Sequence, residues 1–397
     1  MPIPFLPTEI IAEIVSHLRS SGSQPVIDSI SNGRAISLVC QRFFPIGQAL
    51  RWRLVRIDSS TISSLVRHFQ EFPHLARLVR IISHIAAEEE EEEEDADTFR
   101  AESLNDLLLV LSSTSLLNAL RFVASVEESS SAAFTSIMQI ASALPQLELF
   151  FFKIHGRVAW TPEVASTFNN GFAALRSMAA QFPDTLIIEP GLDAIPPSTP
   201  RKKLESLMAS VESTVESNHN SPGLMSYLLQ QLDPSALLHC VFNRLPAHDL
   251  NWELLSRCSR LTNLYITVQA SHGSNIYSGL IDHLAGFRSL RTIDVDATGP
   301  EDTEDPVFET NISLQQVLAA CPASFRSFKM DQLNFSDYES IPLRQLPPSL
   351  DPEPVRLSAL RPDGGGDYYP FIAWKEETKE GGEVRWYRSE VEEESEA

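Results

Sequence analysis

The stretch Cys258-Ser259-Arg260-Leu261-Thr262-Asn263-Leu264-Tyr265-Ile266 sets an apolar residue, two others, a leucine, two others, an apolar residue, one other, and a last apolar residue. The same order recurs as Leu144-Leu147-Phe150-Phe152 and Phe287-Leu290-Ile293-Val295. It returns more loosely as Pro322-Phe325-Phe328-Met330 and in truncated form as Leu117-Leu120-Phe122, while Phe72-Leu75-Leu78 begins it and breaks at Arg80. Alternation at the end of each copy predicts a short strand with every second residue pointing inward, and the earlier pair predicts a turn feeding two more apolar side chains into the same core. Taken at the second apolar position, the copies lie 30 residues apart from 117 to 147, 29 from 261 to 290 and 35 from 290 to 325.

Segments with helical periodicity separate these pieces: Ala101–Ser112, Ser131–Ala143, Pro162–Gln181, Pro222–Leu232, Asn275–Leu284 and Ser313–Ala320. Strand, helix and strand at this period predict a right-handed solenoid with a parallel sheet on its concave side. The spacing resembles that of leucine-rich repeats. Between Leu147 and Leu261 less obvious copies fall at Phe182–Ile188 and Leu237–Phe242. A regular member of that family has Asn or Cys three residues beyond each strand. Here those positions hold His155, Gln269, Thr298 and Leu333, so the resemblance implies an irregular solenoid. An ordinary α/β domain whose strands happen to look alike fits the pattern as well.

At the other end, Leu6-Pro7-Thr8-Glu9-Ile10-Ile11-Ala12-Glu13-Ile14-Val15-Ser16-His17-Leu18 places apolar residues at three- and four-residue spacing along one helix face. Pro7 suits the first turn and Glu9 the positive end of the dipole. Ile36, Leu38, Val39 and Phe43 share one side of a second helix, closed by Pro45 and followed by Arg51-Trp52-Arg53. This order resembles the F-box over about the first 57 residues. In that family the segment docks onto a Skp-type adaptor linked to a cullin-RING ubiquitin ligase. The resemblance therefore implicates Leu6, Pro7, Ile10, Ile14, Leu18, Leu38, Val39, Cys40, Phe43 and Trp52 in adaptor binding. The sequence departs from the family in the long Arg19–Arg34 segment between the two helices. Helices this short bury little by themselves, so they need a partner or else cap the rest of the molecule.

The expected class is thus α/β, with N-terminal F-box helices (1–57) followed by an irregular leucine-rich-repeat-like solenoid (58–335). Residues 336–397 read as a Pro-rich linker, a hairpin and an acidic tail. Within 341–367 lie six prolines and Gly364-Gly365-Gly366. Phe371-Ile372-Ala373-Trp374 and Val384-Arg385-Trp386-Tyr387 flank Gly381-Gly382, as in a β-hairpin or a short recognition motif. Glu189–Pro200 and Gly299–Asp305 read as loops.

Across 397 residues the net charge is −22. Glu88–Asp97 holds nine acidic groups, and residues 376–397 hold nine against three basic ones. Such runs repel themselves, so 88–97 is expected to be a disordered loop that keeps the protein soluble or meets a basic partner. Nucleic acid is not an expected partner, because phosphate binding needs a basic field. Cys40, Cys240, Cys258 and Cys321 have no CxxC spacing, so no metal or other cofactor is expected. Neither a signal-like N-terminus nor a run of 18 apolar residues occurs, so no membrane is expected and the cytoplasm or nucleus is the expected location. The Asn311 and Asn334 sequons then carry no meaning.

No nucleophile elbow, phosphate loop or dinucleotide fingerprint is present. His239 and Cys240 would face opposite sides of a strand and cannot pair. Asp294 and Asp296 flank Val295 on an exposed side, where they suit a cation or acid–base work or, on a concave solenoid face, a basic patch on a partner. The chain is not expected to be an enzyme. It reads as the substrate-recognition subunit of an SCF-type ligase holding a protein substrate of unknown identity, with Tyr265, Thr267, Arg291, Thr292, Asp294 and Lys329 as the strand-borne contacts. A protein-interaction scaffold of the same fold without ligase coupling, and a hydrolase with a dispersed site, are the rivals.

Overall fold

A computed structural model describes residues 44–58, 61–84, 101–126, 131–182, 185–188, 201–211, 223–269, 279–298, 314–322, 324–330, 342, 355–360, 368–377 and 384–389. The described chain is mixed α/β, with strands that are mostly parallel. It divides into two compact units, Met1–Gly156 with Ser166–Leu175, and Arg157–Ala165 with Arg176–Ala397.

In unit 1, α1 (Phe44–Arg53) leads into β1 (Leu54–Ile57), and α2 (Ile62–Glu71) and α3 (Pro73–Ala76) lead into β2 (Ile81–His84). The chain continues through α4 (Ala101–Ser113), β3 (Ala119–Val126), α5 (Ser131–Ala143) and β4 (Leu149–Trp160). β1 to β4 pair in parallel, in chain order. At Gly156, with φ 93, β4 passes into the second unit, a backbone angle that suits glycine.

Unit 2 pairs the end of β4 with β6 (Thr185–Ile188). Its main ladder runs β5 (Ser177–Phe182), β7 (Ser206–Val211), β8 (His239–Pro246), β9 (Asn263–Gln269), β10 (Thr292–Thr298), β11 (Ser327–Met330) and β12 (Val355–Leu360), all parallel. Short helices lie between: α7 (Leu224–Gln231), α8 (Trp252–Ser256), α9 (Leu280–Leu284) and α10 (Leu314–Ala320). β13 (Tyr368–Glu377) and β14 (Val384–Ser389) then add antiparallel strands. α6 (Pro162–Asn170) spans the division between the units.

A single backbone device recurs at the start of successive parallel strands. The carbonyl just before one strand accepts two N–H bonds from the next: Leu238 O from Thr262 and Asn263, Thr262 O from Arg291 and Thr292, Arg291 O from Arg326 and Ser327. In unit 1 Asn118 O accepts from Glu148 and Leu149 in the same way. The preceding turn is closed by bonds such as Leu147 N to Leu144 O, Leu261 N to Cys258 O and Leu290 N to Phe287 O. These are the first two apolar positions of the sequence pattern, and their residues are buried.

Several expectations are corrected. The early copy is framed four residues later, as Ala76-Val79-Ile82, because Ile82 pairs with Leu120 and Val79 is fully buried. The segment expected as a helix over Pro162–Gln181 stops at Asn170. Phe172 there has φ 51, and β5 follows, so the copy sought at Phe182–Ile188 is Phe172-Leu175-Met178-Ala180. A copy not foreseen at all is Leu204-Leu207-Ala209. His155, Gln269 and Thr298 continue their strands instead of ending a turn. Leu333 lies outside the described residues. The stretch read as a linker contains β12, a parallel neighbour of β11, and the aromatic pairs beyond it form the β13–β14 hairpin. The acidic segment 88–97 and the loops Glu189–Pro200 and Gly299–Asp305 lie outside the described residues.

Candidate functional site

Alternation decides which side chains of the unit 2 ladder remain available. Leu207 and Ala209, Cys240 and Phe242, Leu264 and Ile266, and Ile293 and Val295 are buried. The residues between them share the opposite face in register. Met208 stands beside Val241, Val241 beside Tyr265, Tyr265 beside Asp294, and Asp294 beside Lys329. One row toward the strand starts, Ser206, His239, Asn263, Thr292 and Ser327 align. One row toward the ends, Thr267 stands beside Asp296.

The central row changes from apolar to charged along its length. Tyr265 is 38% exposed, and Lys329 Nζ lies 3.6 Å from Asp294 Oδ1 with both side chains partly covered. Burial raises the Asp294 carboxyl above its usual value; Lys329 opposes this and Asp296 adds to it. Such an arrangement offers a ring, a short apolar shelf and paired opposite charges to a surface laid across the strands.

The expected strand-borne residues divide by position. Tyr265, Asp294 and Lys329 are brought into one row, with Thr267 and Thr292 in the rows on either side. Arg291 is not on the face. It lies exposed in the turn before β10, where its carbonyl holds the next repeat. Met208 on β7 and His239 and Val241 on β8 belong to the same face. No copy of the pattern marks β7 in the sequence, and the copy Leu237–Phe242 marks β8 without the register that joins its outward residues to Tyr265.

His239 and Cys240 do face opposite sides: His239 is exposed and Cys240 fully buried. Burial holds the Cys240 thiol well above its ordinary value, with Cys258 adding to it, and pushes Cys258 up to about 11 and Cys321 up to about 12. Thiols held protonated in this way are poor nucleophiles. Among the described residues, no group of three or more His, Cys, Asp or Glu side chains is placed to hold a metal ion. No described helix is long and apolar enough to cross a membrane.

Of the residues tied to adaptor binding, Trp52 is described. Its indole N–H donates to Gln48 Oε1 at 3.1 Å, and its ring stacks on His68 at 5.2 Å and meets Phe69 at 6.0 Å. Leu6, Pro7, Ile10, Ile14, Leu18, Leu38, Val39, Cys40 and Phe43 lie outside the described residues.

The outward face of unit 1 is of different chemistry. Arg121 sits over the Phe151 ring at 5.2 Å, and Leu149 is 51% exposed. A cleft of about 560 Å³ at the start of these strands is lined by Arg53, Arg80, Ile81, Ala119, Glu148 and Leu149.

Neither a family model nor a curated protein sequence matches this chain. Among solved structures, a chain from the crystal structure of a Rad7 and Elc1 complex in yeast aligns over 76% of this chain and 91% of its own, at 11% identity and a TM-score of 0.23. Agreement of that size carries no argument about this protein.

Proposed function

We propose that this protein is the substrate-recognition subunit of an SCF-type (Skp-cullin-F-box) ubiquitin ligase, built as an F-box followed by an irregular leucine-rich-repeat-like solenoid. The reading is carried by the joining, in one chain, of the F-box-like order Leu6–Leu18 and Leu38–Phe43 to an open, in-register face of polar and apolar side chains. The first part binds a Skp-type adaptor and through it a cullin-RING ligase. The second holds a protein substrate across Tyr265, Asp294 and Lys329, with Thr267 and Thr292 beside them. Ubiquitin transfer is then promoted by raised effective concentration, with no residue of this chain entering the chemistry. The protein works in the cytoplasm or nucleus and needs no cofactor. Neither nucleic acid nor membrane is a partner in this reading.

The test is co-purification of the intact chain with a Skp-type adaptor and cullin, compared with Leu6→Asp and Ile10→Asp. Capture of the intact chain and its loss in both variants is expected, with an unchanged thermal melt. Equal capture of the variants would contradict the assigned helix face. The long Arg19–Arg34 segment favours a second reading, a protein-interaction scaffold of the same fold without ligase coupling. In that case the intact chain captures no adaptor.

A further inference from the structure

The chain carries 53 acidic residues against 31 lysines and arginines, yet three consecutive turns of unit 2 reverse that balance. The turns entering β9, β10 and β11, residues 257–262, 286–291 and 322–326, hold Arg257, Arg260, Arg288, Arg291 and Arg326 and no acid. Stacking of the ladder places these turns side by side: Arg291 N bonds to Thr262 O, and Arg326 N to Arg291 O. Arg260, Arg288 and Arg291 are exposed, and their guanidinium groups make no hydrogen bond or ion pair with a described residue. The flanking cations are engaged: Arg257 pairs with Glu253 at 2.5 Å, and Arg326 Nη1 donates to Phe325 O at 2.7 Å. The turns before them are already balanced, with Arg176 set against Glu205, and Arg201 and Lys203 acting on Asp233. Among the described residues of unit 2 the positive edge therefore runs along β9, β10 and β11, the strands that carry Tyr265, Asp294 and Lys329.

We infer that this amino edge, centred on Arg260, Arg288 and Arg291, binds an extended segment of the partner protein rich in Asp and Glu. The inference rests on the reading of unit 2 as the part that holds a protein partner, and it does not require adaptor coupling. Neighbouring strands lie about 4.8 Å apart, which separates Arg260 from Arg288 and Arg291, and the latter two stand three residues apart in one turn, so the edge carries separate cations. A series of single carboxylates on an extended chain matches that spacing better than one doubly charged group. The last described strand ends away from this edge. β14 runs parallel to β12 through antiparallel β13, so it ends at Ser389 on the carboxyl edge of the sheet, opposite the arginines. An acidic segment lying along the turns would also bring the rest of the partner onto the row beginning at Tyr265.

Fluorescence anisotropy tests this with the full chain and a labelled peptide of alternating Glu and Ser, beside the same peptide with Gln for Glu. The Glu peptide is expected to bind, to weaken steeply with added salt, and to lose about tenfold in affinity in Arg260→Gln/Arg291→Gln, whereas Arg67→Gln on α2 leaves it unchanged. Equal binding of the Gln peptide, no binding of either, or an unaffected double variant would overturn the inference. So would a phosphoserine peptide or a single-stranded oligonucleotide that binds more tightly and displaces the Glu probe. A thermal melt accompanies each variant. If the double variant unfolds, Arg288→Gln alone is measured against the same criteria. Adaptor capture alongside a failed peptide assay would leave the ligase reading intact and remove only this surface.

Discussion

The two units stack short parallel strands with different materials. In unit 1 the inner positions of β3 and β4 include Phe122, Phe150 and Phe152 beside Leu120 and Ile154. Phe150 meets Phe152 at 5.1 Å and Phe172 at 5.5 Å, and Phe134 meets Phe152 at 5.6 Å. In unit 2 the inner positions are mostly smaller, among them Ala209, Cys240, Ile266 and Val295, and polar clips fasten the turns. Thr262 Oγ1 donates to Leu238 O at 2.8 Å, and Ser324 Oγ to Leu290 O at 2.9 Å. The counterpart in unit 1, Asn118 Nδ2 to Gln146 O, is long at 3.4 Å. Large rings fill the space between neighbouring strands by themselves, whereas smaller inward residues leave more of the fastening to side-chain hydrogen bonds at the turns.

The sharpest way to break this contrast is Phe150→Ala. The ring is 2% exposed and touches two others, so its loss should cost about 3–5 kcal/mol, through both transfer and the cavity left behind. Ile293→Val in unit 2, removing one buried methylene, should cost roughly 1 kcal/mol. Urea unfolding of the two variants checks the pair. Similar losses would mean that the aromatic cluster is no more critical than the aliphatic ladder.

A middle-sized effect tests the clips. The buried carboxylate of Asp249 caps α7 from the following repeat, accepting from Met225 N at 2.8 Å and Ser226 N at 3.3 Å. Asp249→Ala leaves those helix N–H groups without their acceptor and should cost about 1–3 kcal/mol. Gly223 makes the fit achievable, since a Cβ there would fall 1.8 Å from Asp249 Oδ1. Gly223→Ala must push the carboxylate away, so the double variant should cost little more than either single one. Additive losses would show that the two positions act separately and that Asp249 is not the clip.

How much of this was legible follows from the same contrast. Leu144-Leu147-Phe150-Phe152, Cys258-Leu261-Leu264-Ile266 and Phe287-Leu290-Ile293-Val295 stood out because every inward position is bulky, and each is a turn and strand in the structure. Met178-Ala180 and Leu207-Ala209 end their inward rows on alanine, so β5 and β7 gave little periodic signal and the outward residues they carry, Met208 among them, left no mark. The frame of the early copy slipped because Leu75 and Leu78 look as apolar as Val79 and Ile82, and only strand pairing distinguishes them. The row through Tyr265, Asp294 and Lys329 was reachable once three strands were placed. By contrast, the arginine edge depends on turns far apart in sequence being stacked, and the Asp249 cap joins residues 24 apart.

The smallest expected effect concerns the two outward faces, where unit 2 carries an acid–base pair and unit 1 a cation over a ring. Asp294 has its carboxyl raised above 3.8, mainly by burial, so the folded protein keeps that proton to a higher pH than the unfolded chain does. An acid raised in this way favours folding below the unfolded value, and that contribution is lost as pH climbs through the folded one. Asp294→Asn cannot titrate, so the native protein should be at its best relative to this variant at acid pH and fall behind it toward neutrality. The span should be the smallest of these effects, because both side chains of the pair are partly exposed and solvent screens them. Lys329→Met, which removes the opposing charge, should widen the fall. Arg121→Gln in unit 1, which leaves Phe151 without its cation but removes no acid, should shift stability by the same amount throughout that window. Melting temperatures taken across the acid range would decide between them, and an Asp294→Asn curve parallel to the native one would mean that the pair with Lys329 already compensates the cost of burial.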